Sequence, residues 1–279
     1  MTEHILTFGP ANRLVGTLTQ PPGKARATAI LLLNAGVIPR MGPHRINVKL
    51  ARELASQGFT VLRMDLSGLG DSLRSDAALT FEQQAVSDLK AAMDHLQRLT
   101  SAQQFALAGI CSGAHHGIAT AIADDRLKAL WLMDTHAYPT RKTLWVRARR
   151  QLQLDFTGTV TRWTTKAVQM LTSRLRPGPA VPREQALLTD NAYPTPPKAE
   201  FAQRIQALID RQVRLQLVYS GDIFWRYNHS SQWQDAFRDH GAVAKVPCDL
   251  LPDMDHTATT LHAQRRLIGS VTRFATLLA

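Results

Sequence analysis

The sequence predicts an α/β domain with a mostly parallel sheet and helices on both faces. Three observations carry this. Short apolar runs alternate with amphipathic helical stretches at βαβ spacing. Ala27–Leu33 is a continuous apolar run, as expected of a strand buried on both faces. Phe105–Ala108 is a second such run that leads directly into Gly109-Ile110-Cys111-Ser112-Gly113 and a small-residue helix, Ala114–Ala123. Right-handed crossovers then place helices on both sides of the sheet.

The elements follow in order. Weak alternation over residues 4–19, broken at Pro10, predicts an antiparallel hairpin that ends at Pro21-Pro22-Gly23. After Leu33 comes Asn34-Ala35-Gly36-Val37, then a polar loop to His44. A helix over Ile46–Gln57 is closed by Gly58. Phe59–Met64 is a strand that runs into the turn-rich loop Asp65–Ser72. Thr80 and Gln83 have capping-box spacing and open a helix that reaches Leu99. Leu127–Met133 is an apolar strand ending at Asp134.

The rhythm then breaks. Residues 138–199 read as an inserted cap, between core segments 1–137 and 200–279. Helical stretches are expected over Thr143–Leu154 and Val160–Leu175, followed by a Pro-rich run from Pro177 to Pro197. Residues 138–200 hold eleven Lys/Arg and four Asp/Glu, so +7 of the chain's formal +11 lies there. Beyond the cap the pattern predicts a helix over Ala199–Asp210 and a strand over Arg214–Ser220. A helix near Ser231–Asp239, a strand near Ala244–Leu250 and a closing helix over Thr260–Leu278 complete it.

With 279 residues, 44% hydrophobic and 20% charged, the composition is that of an ordinary globular chain. Two cysteines, Cys111 and Cys248, cannot build a disulfide framework, which points to a reducing cytoplasm. The N-terminus lacks the pattern of a secretory signal, and no apolar run approaches the roughly 18 residues of a spanning helix. There is no H-E-x-x-H or paired C-x-x-C, so no metal is expected. No dinucleotide fingerprint follows the first strand, so no cofactor is expected either.

Strand, tight turn and helix are the context in which G-x-S-x-G becomes a nucleophile elbow. Here Cys111 is at the apex. A thiol attacks as thiolate, which a helix N-terminus and a histidine both favour. The alternatives are a small buried cysteine at 111, or Ser112 as nucleophile one residue past the apex.

Four motifs in this order resemble the α/β-hydrolase family over essentially the whole chain. They are Asn34-Ala35-Gly36 at the oxyanion loop, Asp65–Ser72 as D-x-x-G-x-G-x-S, the elbow, and Gly221-Asp222 with Asp255-His256-Thr257. The set Asn-Ala-Gly-Val, Gly-Pro-His-Arg and Cys-Ser-Gly-Ala also resembles bacterial hydrolases linked to surface-polysaccharide or acyl-chain pathways.

The resemblance implies a triad of Cys111, His256 as general base and Asp222 as acid, with Asp134 as the alternative acid. It implies oxyanion donors from the N–H of Ser112 and of Gly36 or Val37. His44, His115 and Trp145 are the expected substrate contacts. The expected reaction is hydrolysis of an ester or thioester through an acyl-enzyme. Acyl transfer by the same triad and a non-catalytic ligand-binding role are the alternatives. The thioester is favoured because thiol-to-thiol exchange is near neutral in energy. The basic cap suggests an acidic acyl carrier protein or an anionic membrane surface as partner. No nucleic-acid module is recognisable.

Overall fold

The computed structural model describes residues 1–154 and 195–278. In these residues eight strands form one sheet in the order β1-β2-β4-β3-β5-β6-β7-β8. The hairpin β1 (Thr2–Phe8) and β2 (Leu14–Gln20) is antiparallel, and β2 joins β4 (Thr60–Met64) antiparallel. β3 (Thr28–Leu33), β5 (Gln104–Ile110), β6 (Leu127–Met133), β7 (Arg214–Ser220) and β8 (Cys248–Leu251) continue in parallel from β4.

Two apolar clusters sandwich the sheet. On one face Ile46, Leu50 and Leu54 of α1 (Ile46–Ser56) pack with Leu267, Val271 and Phe274 of α7 (Leu261–Thr276). On the other lie α2 (Phe81–Leu99), α3 (Ser112–Ala123) and α5 (Lys198–Asp210), with Leu89, Ile118 and Ile205 in the cluster. Each such side chain contributes about 1.5–3 kcal/mol on full burial. The helix starts follow local chemistry. Thr80 accepts from the N–H of Gln83 and the Gln83 side chain returns the bond, the capping box expected from the sequence. Thr260 likewise accepts from Ala263 at the start of α7.

The last strand is shorter than expected. Val243–Lys245 forms a 3-10 turn, and pairing with β7 starts only at Cys248, after Pro247. Proline has no N–H to give the ladder, which explains the late start. The short helix α6 (Gln232–Ala236) fills the space before it, with Trp233 buried and its Nε1 donating to the Val243 carbonyl at 2.8 Å.

The chain leaves the sheet after Asp134. Helix α4 (Arg141–Leu154) is described, whereas the stretch expected over Val160–Leu175 and most of the Pro-rich run lie outside the described residues. The two ends of the excursion meet where Tyr138 Oη donates to the Pro196 carbonyl at 2.9 Å. Among the described residues no helix is long and apolar enough to cross a membrane.

Strand order reverses between β3 and β5. In such sheets the crevice at the carboxyl ends of the strands is where ligands bind. The ends of β3, β5, β6 and β7 therefore fix where chemistry can occur.

Candidate active site

Cys111 stands at the end of β5 with φ 53° and ψ −114°, conformations that a non-glycine residue adopts only when its surroundings enforce them. Its N–H donates to the Met133 carbonyl of β6 at 2.8 Å, and its own carbonyl accepts from Ala114 at 3.0 Å. Both flanking glycines are required by space. A Cβ on Gly109 would lie 2.5 Å from the Gly113 carbonyl oxygen, and one on Gly113 would lie 2.9 Å from that of Asn34. The glycines thus let α3 close onto β3 and β5 while the sharp turn lifts the Cys111 side chain out. Ser112 begins α3, so its N–H is among the helix amides with no intrahelical acceptor.

Asp134 and His256 are brought together from separate parts of the chain. Asp134 follows β6 at once, with φ 52°, and is buried. One carboxylate oxygen accepts the Ser220 N–H and the other the Ser220 hydroxyl, both at 2.7 Å. The second oxygen also lies 2.7 Å from Nδ1 of His256. Three polar partners compensate the buried carboxylate and fix its direction. With Nδ1–H donating to Asp134, Nε2 is the ring nitrogen left for Cys111. Hydrogen bonds to Asp134 and then to Cys111 raise the His256 imidazole to about 10, against the opposing effect of burial.

The geometry departs from the expectation for Asp222. That residue is exposed in the 3-10 turn Gly221–Ile223, two residues past β7, and its Oδ2 accepts the backbone N–H of His256 at 2.8 Å. It therefore holds the loop, and the carboxylate on the ring is that of Asp134. Both aspartates lie between Cys111 and His256 in the chain, so sequence order alone admits either.

The oxyanion loop is also corrected in one respect. Gly36, with φ 53°, donates its N–H to the Ser112 hydroxyl at 2.7 Å instead of leaving it open to the cleft. Val37 sits in the adjoining turn, closed by Ile38 N–H to the Ala35 carbonyl at 3.2 Å, with its side chain 77% exposed. Ser112 thus turns its side chain back to the loop, away from the apex position that Cys111 occupies. Sequence reasoning missed Arg40, which ties this loop down. Its N–H and guanidinium both reach Asp65 at 2.5 Å, and the guanidinium also binds Asp71 at 2.7 Å and Thr17 at 3.2 Å. This gives the D-x-x-G-x-G-x-S loop a structural duty. Gly70 makes room for it, because a Cβ there would meet Asp65 at 2.4 Å.

The three expected substrate contacts lie in different places. His44 is exposed, with φ 50°, in the 3-10 turn before α1. Trp145 is 60% exposed on α4. His115, one turn along α3 from Cys111, lines a cavity of about 400 Å³. It stacks on His136 with ring centroids 4.0 Å apart and planes at 11°. Burial pushes His115 down to about 3 and His136 to about 4, so both are neutral at pH 7. Phe201 meets the edge of His136, and Glu82, Glu200 and Arg204 also line the cavity.

A model of the alpha/beta hydrolase fold matches residues 39–240. The chain belongs to that family. The match ends before His256, whose place rests on the contacts above. Comparison with curated proteins returns no match. Among solved structures, the Pyrococcus furiosus esterase Pf2001 is similar at 14% identity and TM-score 0.59, covering 99% of this chain and 90% of its own. Xanthomonas campestris XC6422, described as a serine hydrolase without a lid, is similar at 14% identity and TM-score 0.55, covering 99% and 94%. The thioesterase domain from the curacin biosynthetic pathway is similar at 15% identity and TM-score 0.53, covering 98% and 99%. At these identities the likeness is one of fold.

Proposed function

We propose that this chain hydrolyses a thioester or ester through an acyl-enzyme on Cys111. The observation that carries the reading is the His256 ring, held by Asp134 at 2.7 Å on Nδ1, with Cys111 next after Asp134 among the groups that raise its imidazole. An imidazole raised to about 10 is protonated at neutral pH. An imidazolium beside a sulfur at a helix N-terminus is the arrangement that favours a thiolate nucleophile.

In the reaction, Cys111 Sγ attacks the acyl carbonyl carbon. The oxyanion that forms is received by the N–H of Ser112 and by that of Val37, since the Gly36 N–H is taken by the Ser112 hydroxyl. Collapse breaks the bond to the leaving thiol or alcohol, which takes its proton from His256. The now neutral imidazole removes a proton from water, and the hydroxide attacks the acyl-enzyme. Collapse then breaks the bond to Cys111 Sγ and releases the carboxylic acid, and His256 keeps the proton it took from water. Asp134 keeps the Nδ1 proton in place throughout.

The names of two structural relatives, an esterase and a thioesterase, agree in class with this reading. Turnover of a panel of acyl thioesters and aryl esters by wild type and Cys111→Ala tests it. The proposal expects hydrolysis that Cys111→Ala abolishes; a variant that retains wild-type turnover overturns it.

A further inference from the structure

The α4 region and the loop after β7 form a surface that the reaction does not use. Helix α4 carries Arg141, Lys142, Arg147, Arg149 and Arg150 and no Asp or Glu in its fourteen residues. Among the described residues none of these five cations is paired with a carboxylate. Instead, Arg149 lies over the Trp145 ring at 5.5 Å, and Arg150 over the Phe224 ring at 4.1 Å.

Large apolar side chains stand out between the arginines. Leu144 is 56% exposed, Trp145 60% and Leu154 74%. Trp225, 50% exposed, adjoins through the Phe224 ring, 5.5 Å away. The two elements are pinned together at the start of α4. Thr140 Oγ1 lies 3.1 Å from Nε2 of His229, and Asn228 Nδ2 donates to the Thr143 carbonyl at 3.1 Å. The same β7 loop holds Asp222, which anchors the His256 backbone. The patch therefore flanks the candidate active site.

We infer that this patch docks the protein on an anionic lipid surface, with the strand ends that carry Cys111 and His256 facing the bilayer. Exposed indoles beside guanidiniums suit the headgroup boundary, where the ring sits in the interface and the guanidinium meets phosphate. An acidic protein would meet the charge. The run of exposed Leu and Trp over both elements fits the acyl boundary of a bilayer better than a rim of ion pairs. Placed so, the cleft would receive the acyl group of an amphipathic ester or thioester drawn from the membrane. That last consequence rests on the proposed hydrolysis; the docking does not.

The test is co-sedimentation of the full chain with vesicles of phosphatidylcholine, with and without 30% phosphatidylglycerol, at low and high salt. Each arginine near an anionic surface strengthens partitioning about fivefold, so Arg149→Gln with Arg150→Gln should weaken it about 30-fold. Trp145→Ala should weaken it further, and added salt should reverse it. Cys111→Ala should bind as wild type does, which keeps this result separate from that for catalysis. All variants are checked for an unchanged melting temperature. No binding to the anionic vesicles, equal binding to both compositions, or full binding by the double Arg variant overturns the inference. Retention on an acidic acyl carrier protein without vesicle binding overturns it in favour of a protein partner.

Discussion

Asp134→Asn is the most informative single change, because Asp134 and Asp222 both touch His256 and do different things. In Asp134→Asn the amide oxygen can still accept the Ser220 N–H, which is 2.7 Å away in the wild type. The NH2 then faces the Ser220 hydroxyl and Nδ1 of His256. The hydroxyl can rotate and accept. Nδ1 cannot donate to a donor, so the ring must shift its proton to Nε2, the side facing Cys111. The imidazole loses its general-base nitrogen there and the charge that holds it as imidazolium. The same exchange in a serine-protease triad costs about 10⁴ in kcat, so a loss of about 10³–10⁴ is expected here, or about 4–5.5 kcal/mol of transition-state stabilisation. Asp222→Asn keeps an oxygen for the His256 N–H and touches no ring atom. Its expected loss is under about tenfold, the worth of one weakened hydrogen bond. The assay is kcat/KM on whichever thioester is processed fastest, with melting temperatures to separate folding from catalysis. The reasoning is refuted if Asp222→Asn loses as much as Asp134→Asn, or if Asp134→Asn stays within tenfold of wild type.

Two pH limbs of stability follow from the histidines. His256 binds its proton up to about pH 10 in the native state, against an ordinary value of 6.5. Its contribution is complete below pH 6.5 and is lost as pH rises through 10, so the wild-type melting temperature should fall over that window more than that of His256→Gln. His115 and His136 have the opposite sign, being held to about 3 and 4. The unfolded chain takes up protons that the native state refuses as pH falls from 6.5 toward 4, so stability drops there. A His115→Gln variant that shows the same acid slope as wild type in thermal melts would contradict this assignment. Gly113→Ala should push the Asn34 carbonyl away and move the oxyanion loop, since the added Cβ would lie 2.9 Å from it. A drop of at least tenfold in kcat is expected, about 1.4 kcal/mol; a variant as active as wild type would show that the contact is slack.

The fold was legible because its signals are local and repeated. Buried parallel strands read as unbroken apolar runs, and β3, β5 and β6 begin and end within a residue or two of those runs. The capping box at Thr80 and the elbow glycines announce their geometry through residue type. The placement of Cys111 at a tight turn and of His256 in the loop before the last helix was legible for the same reason, since chain order fixes both. The carboxylate that meets the His256 ring was less so. Asp134 and Asp222 both follow strands, β6 and β7, that lie beside each other in the sheet. What separates them is that Asp134 directly follows its strand, buried, while Asp222 is two residues further on and exposed. That difference depends on where each strand ends, which pattern alone places only within a few residues. The Gly36 and Arg40 contacts were illegible because each joins residues far apart in the chain, Gly36 to Ser112 and Arg40 to Thr17, Asp65 and Asp71.

The central claim is that Cys111 forms the covalent intermediate. Peptide mass spectrometry after a brief, acid-quenched incubation with a panel of acyl thioesters tests it directly. The account predicts an acyl group on the peptide that contains the elbow, localised to Cys111, removed by hydroxylamine and absent in Cys111→Ala. Acylation of Ser112, or sustained turnover of a thioester by Cys111→Ala, would contradict it.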